Sequence, residues 1–89
     1  MIKILKRTGT FVDFNPSKIS NAIIKAMKET KDGVDEELAK EISLKIEKEL
    51  SNKNFPIAVE VVQDMVENEL MDSKRKDVAK KYILYRYER

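Results

Sequence analysis

The sequence predicts an α+β domain: a four-helix bundle capped by a small N-terminal β-hairpin, which a third short strand can extend into a mixed sheet. Three observations point there. Two β-forming runs flank Thr8-Gly9 near the start, four later stretches carry apolar residues at helical spacing, and no internal repeat, low-complexity tract or interdomain linker interrupts them. Eighty-nine residues make one small domain, and a chain of this size buries only about 60% of its unfolded surface.

The first strand is read in Ile2–Leu5 and the second in Thr10–Phe14, with Gly9 supplying the positive φ of the turn. Asn15-Pro16 reads as an N-cap followed by proline at the first helical position, where its missing N–H costs nothing. Ile19, Ala22, Ile23, Ala26 and Met27 then mark a helix of about three turns. "TKDGVD" breaks it. Asp35 caps a second helix, and Glu36 and Glu37 suit the positive end of its dipole. Its apolar stripe is Leu38, Ala39, Ile42, Ile46 and Leu50. Phe55-Pro56-Ile57 is extended, because a residue before proline is driven out of the α region, and it is the candidate third strand. A third helix runs from about Val59 to Met71 and buries Val62, Met65, Val66 and Leu70. A fourth follows "DSKR" with Val78, Ala79, Tyr82, Ile83 and Tyr85. The closing "YILYRYER" holds no Gly or Pro stop signal. It reads either as part of a longer polypeptide, favoured by under-buried tyrosines and Leu84, or as a helix end where Arg86 and Arg89 meet the dipole.

Composition removes several function classes. A charged content of 38% and the lack of any apolar run near ~20 residues argue against a membrane span. There is no cysteine and no histidine, which rules out a disulfide framework and the common zinc sites, and weakly favours a cytoplasmic setting. Without them, nucleophilic cysteine and general-base histidine chemistry are also missing, so the 89-residue chain alone is not expected to be an enzyme. A net charge of +2 gives no bulk argument for nucleic acid, and the basic residues do not alternate with aromatics as a stacking platform would require.

What stands out is local. Lys6 and Arg7 follow the first strand, and strand alternation predicts one facing the helices and the other solvent. Lys18 lies in the first turn of a helix, where acidic residues are the usual choice. A cation there is either a solvated lysine or one that shares an anion with the helix N-terminus. No phosphate-loop or dinucleotide motif accompanies it, and the chain has only two glycines.

Taken together and in order, "KRTG", "FVDFNPSKI", "NAIIKAM", "EELAKEI", "FPIAVEVVQDMVENEL" and "DVAKKYILYRYER" resemble the ATP-cone domain over essentially the whole chain, residues 1–89. Each piece is weak alone; the six together are specific. ATP-cones are nucleotide-sensing modules at the N-termini of many ribonucleotide reductases, and the close of this sequence is most similar to that of the anaerobic, glycyl-radical class. The resemblance implies a site for ATP or deoxy-ATP as allosteric effector, with Mg2+ carried by the phosphates. The nucleotide residues it implies are Lys6, Arg7, Asn15, Lys18, Ile19, Gln63, Tyr85 and Arg89. It also implies a catalytic domain of the parent reductase as partner, and a nucleotide-dependent oligomer. Thr8 departs from the commoner Asp of the turn. Val12 and Val59 stand where some members place polar groups against the ligand. The rival reading is the ATP-cone of a repressor of reductase genes, but such proteins carry a cysteine-rich zinc ribbon, and no cysteine is present. A non-nucleotide helical interaction domain is the third.

Overall fold

A computed structural model describes residues 2–88. Strands β1 (Lys3–Leu5) and β2 (Phe11–Asp13) form the hairpin, followed by helices α1 (Pro16–Met27) and α2 (Glu36–Leu50). Strand β3 (Ile57–Ala58) runs directly into α3 (Val59–Asp72), and α4 (Lys76–Tyr87) closes the bundle. The α+β architecture is therefore the one the sequence predicts. The sheet order is β2-β1-β3, antiparallel between β1 and β2 and parallel between β1 and β3. A parallel neighbour needs a long crossover, and α1 and α2 supply it.

The hairpin closes through a five-residue connection, residues 6–10. The Gly9 N–H donates to the Lys6 carbonyl at 2.9 Å, and the Lys6 N–H donates to the Thr10 carbonyl at 2.8 Å. Gly9 sits at φ 88°, a left-handed conformation that suits glycine. This turn corrects one expectation. Because β1 ends at Leu5, Lys6 and Arg7 lie in the turn and escape strand alternation, and both reach the side of the hairpin that faces α3. The third strand is also displaced from Phe55–Ile57 to Ile57–Ala58, pairing Ile4 with Ile57. Pro56 has no N–H to give a ladder, and Phe55 stays exposed.

Helix starts follow the sequence closely. The Asn15 carboxamide oxygen accepts from the Ser17 N–H at 3.0 Å, and the Asp35 carboxylate accepts from the Leu38 N–H at 3.1 Å. Helix α3 begins without a side-chain cap, since Ala58 precedes it. The core joins Ile4 and Ile57 of the sheet to Ile23, Met27, Ile46, Leu50, Val66, Leu70 and Val78 of the four helices. No helix among the described residues is long and apolar enough to cross a membrane.

The end of α4 differs from expectation. One of the two sequence readings sets Arg86 at a helix end where it meets the dipole, yet it is only 7% exposed. It falls on the same face as Val78, Ala79 and Tyr82, one turn beyond the tyrosine, and so points at α3. There its guanidinium pairs with Asp64 at 2.8 Å and Glu67 at 3.1 Å and donates to the Glu60 carbonyl at 3.3 Å. Ile83 and Tyr85, read as core, are only half-buried. Arg89 lies outside the described residues.

Candidate functional site

A pocket of about 210 Å3 opens where the hairpin meets α1, α3 and α4. Its walls are apolar: Ile4 and Val12 from the sheet, Ile19 and Ala22 from α1, Val59, Val62 and Val66 from α3, and Tyr82 from α4. Lys6, Asp13, Asn15, Lys18 and Gln63 supply its polar groups. The local causes are plain. The Gly9 turn delivers Lys6, and the Asn15 cap starts α1 so that Lys18 and Ile19 stand in its first turn. The short β3 fixes where α3 begins, and with it Val59 and Gln63.

Electrostatics distinguish the cations. Lys3 pairs across the hairpin with Asp13, which offsets the carboxylate in the pocket. Arg7 donates to the Glu60 carboxylate at 2.8 Å and to the Gln63 side-chain oxygen at 3.1 Å, both on α3. Lys6 and Lys18 have no ion-pair or side-chain hydrogen-bond partner among the described residues. No acidic residue occupies the first turn of α1. Two uncommitted ammonium groups and a positive helix end thus share one polar mouth beside an apolar slot. Burial pushes the Tyr82 hydroxyl up to about 12.

Of the residues the sequence singled out, the structure gathers Lys6, Asn15, Lys18, Ile19 and Gln63 in this pocket, with Arg7 at its rim through Gln63. Tyr85 lies elsewhere, in a separate hollow between α1 and α4, where the Lys25 ammonium stands 4.8 Å from its ring centroid. Tyr82, three residues earlier, takes the pocket position instead. Sequence reasoning had assigned Tyr82 to the core, and its spacing with Val78 and Ala79 signals burial under either role. Glu60 and Asp13 were missed; Glu60 precedes Gln63 by three residues on a helix and so must share its face. A larger, shallower hollow of about 540 Å3 lies beside Ile2, Phe14, Leu44, Glu47 and Lys48. None of the residues singled out reaches it. Among the described residues no cluster of three or more potential metal ligands occurs.

A model of the ATP cone domain matches residues 2–89. The vitamin B12-dependent ribonucleoside-diphosphate reductase of Thermoplasma acidophilum is 45% identical over 95 residues, covering 100% of this chain and 12% of its own length. The ribonucleoside-diphosphate reductase subunit alpha of Chlamydia muridarum is 40% identical, covering 96% of this chain and 9% of its own. The anaerobic ribonucleoside-triphosphate reductase of Salmonella typhimurium is 31% identical, covering 97% and 12%. The chain therefore spans about a tenth of the length of these relatives.

Proposed function

Because the chain belongs to the ATP-cone family, we propose that its pocket takes ATP or deoxy-ATP and that the module regulates the overall activity of a ribonucleotide reductase. The observation that carries this reading is the pairing of an apolar slot with uncommitted Lys6 and Lys18 at its mouth. A volume of about 210 Å3 is below the ~300–1,000 Å3 of sites that enclose a whole drug-sized ligand. It suits a base, held between Ile19, Val62 and Tyr82, with sugar and phosphates outside. There the phosphates meet Lys6 and Lys18 at the positive end of the α1 dipole. Magnesium would arrive on the phosphates.

Regulation would work by differential binding, since an effector shifts a conformational equilibrium only by its difference in affinity between the two states. The catalytic domain of the parent reductase is the partner that reads this shift, in a cytoplasmic enzyme, through contacts or a nucleotide-dependent oligomer. The 31% identity to the Salmonella enzyme supports an anaerobic parent, while the B12-dependent and alpha-subunit relatives, at 45% and 40%, support other reductases more strongly.

Thermal unfolding with ligands tests the binding step. At a hundred times its dissociation constant, a ligand of the folded state adds about 2.7 kcal/mol. For a domain of this size each kcal/mol moves the midpoint by roughly 4–8 °C. Magnesium ATP and deoxy-ATP should each raise Tm by about 10–20 °C, and GTP far less. An equal rise with tripolyphosphate would reduce the site to an anion patch, and no rise with either adenine nucleotide would end the proposal.

A further inference from the structure

Arg7, at the pocket rim, already holds a carboxylate. Its side chain leaves the hairpin turn and engages Glu60 and Gln63, one turn apart on α3. Guanidinium has only donors to offer, so both groups present oxygen to it, and Gln63, which lines the pocket, is turned by the same bond. Glu60 stands in the first turn of a helix that has no side-chain cap, so an anion of the chain itself occupies the end of α3 that would otherwise attract one. The pair is accessible: the side chains of Arg7 and Glu60 are 50% and 49% exposed. An ion pair so exposed is weak and exchangeable, and a polyphosphate brought to Lys6 would arrive beside it.

Resting on the nucleotide reading above, we infer that Glu60 is a built-in competitor for the ligand's phosphates. It holds Arg7 when the site is empty and must yield it when a triphosphate binds, and so it raises the concentration at which the site fills. The exchange would also be felt beyond the pocket. The Glu60 carbonyl accepts from Arg86 of α4, so the residue that releases Arg7 is also bonded to the last helix. Glu60 thereby becomes a residue that tunes affinity according to phosphate charge, without touching the base.

Calorimetric titration of the 89-residue chain tests this with Glu60→Gln, which keeps the shape and an oxygen acceptor but removes the charge. Exposed ion pairs contribute little, so ATP should bind about two- to fivefold more tightly to Glu60→Gln than to the unsubstituted chain. Adenosine, which brings no phosphate, should change by less than about 1.5-fold. In an Arg7→Ala background the same substitution should gain clearly less, because no pair is left to open. Unchanged or weaker ATP binding by Glu60→Gln would overturn the inference and make the pair a support of the site. An equal gain with and without Arg7 would also overturn it, leaving plain charge repulsion. If the unsubstituted chain bound neither ATP nor deoxy-ATP, the nucleotide reading itself would fall, and this inference with it.

Discussion

Replacing Arg86 should separate two contributions that the structure places on one side chain. Its guanidinium is inside the fold, but its partners are unequally buried: the Asp64 side chain is 61% exposed and that of Glu67 only 23%. Breaking a fully buried pair by removing one member costs about 3–5 kcal/mol, because a charge is left stranded. Here Asp64 can turn to water at once and Glu67 in part, so Arg86→Ala should fall at or below that range, about 2–3 kcal/mol, much of it from the cavity left by the long stem. The Nε of Arg86 is buried without a hydrogen-bond partner, a group whose desolvation already costs roughly 1–3 kcal/mol. Arg86→Met fills similar space and removes that cost, so its loss should stay within about 1 kcal/mol. At roughly 4–8 °C per kcal/mol, thermal unfolding followed by circular dichroism should show Arg86→Ala lower by about 10–20 °C and Arg86→Met by less than about 8 °C. Equal losses for the two variants would refute the reasoning, since the charge and not the packing would then carry the stability. A drop under about 3 °C for Arg86→Ala would show that α4 does not depend on this anchor.

Three further outcomes follow from single residues. Lys6→Ala should weaken ATP binding about ten- to a hundredfold, since a charge-assisted contact to phosphate contributes roughly 1.5–3 kcal/mol. Lys3→Ala should cost much less in the same titration, and equal affinities would remove Lys6 from the site. Tyr82 ties stability to alkaline pH: burial raises its folded pKa to about 12 from 10.0, so between those values the unfolded chain holds fewer protons and stability falls as pH rises. At 1.36 kcal/mol per unit, the loss between pH 9 and 11.5 should be about 1.8 kcal/mol, and denaturant titrations at those two pH values should find it smaller by about that amount in Tyr82→Phe. Gly9→Ala meets no atom within 4 Å, so its cost is the left-handed φ alone, about 1–2 kcal/mol, readable as a lower denaturation midpoint.

Most of the fold was legible because its signals are local. Asn15-Pro16 and Asp35 start helices through their own backbone neighbours, Gly9 closes a turn through its own φ, and the stripe from Ala39 to Leu50 needs only a 3.6-residue period. What escaped depended on partners distant in sequence. Arg86 looks like a terminal cation until Asp64 and Glu67 on α3 are known to face it. The register of β3 is set by Ile4 and Leu5, more than fifty residues earlier. The site was legible in part for the same reason. Lys6, Asn15, Lys18 and Ile19 come from one continuous stretch and arrive together. The α4 contribution depends on helix rotation, which is how Tyr82 came to line the pocket where Tyr85 had been expected.

The pocket also bears on how sharply ATP could be told from deoxy-ATP, which differ by one ribose hydroxyl. A site that hydrogen-bonds a substrate hydroxyl can reject the analogue lacking it strongly, because its own polar groups are then left unpaired. Val12 and Val59, which line this pocket, have no side-chain group to offer. Most of the remaining acceptors are engaged: the Asn15 oxygen caps α1, one Asp13 oxygen pairs with Lys3, and the Gln63 oxygen accepts from Arg7. That leaves the amide N–H2 groups of Gln63 and Asn15 as the uncommitted neutral side-chain donors among these residues. One neutral hydrogen bond has a net worth of about 0.5–1.5 kcal/mol. ATP should therefore bind no more than about tenfold more tightly than deoxy-ATP, and Gln63→Leu should narrow the difference. A preference beyond about thirtyfold in either direction, measured by calorimetry on the isolated chain, would require a polar group at the sugar that these side chains do not provide. A small ratio would instead locate the regulatory difference between the two nucleotides in what the neighbouring domain does with α3 and α4, because a sensor that binds both effectors alike can distinguish them only through its partner.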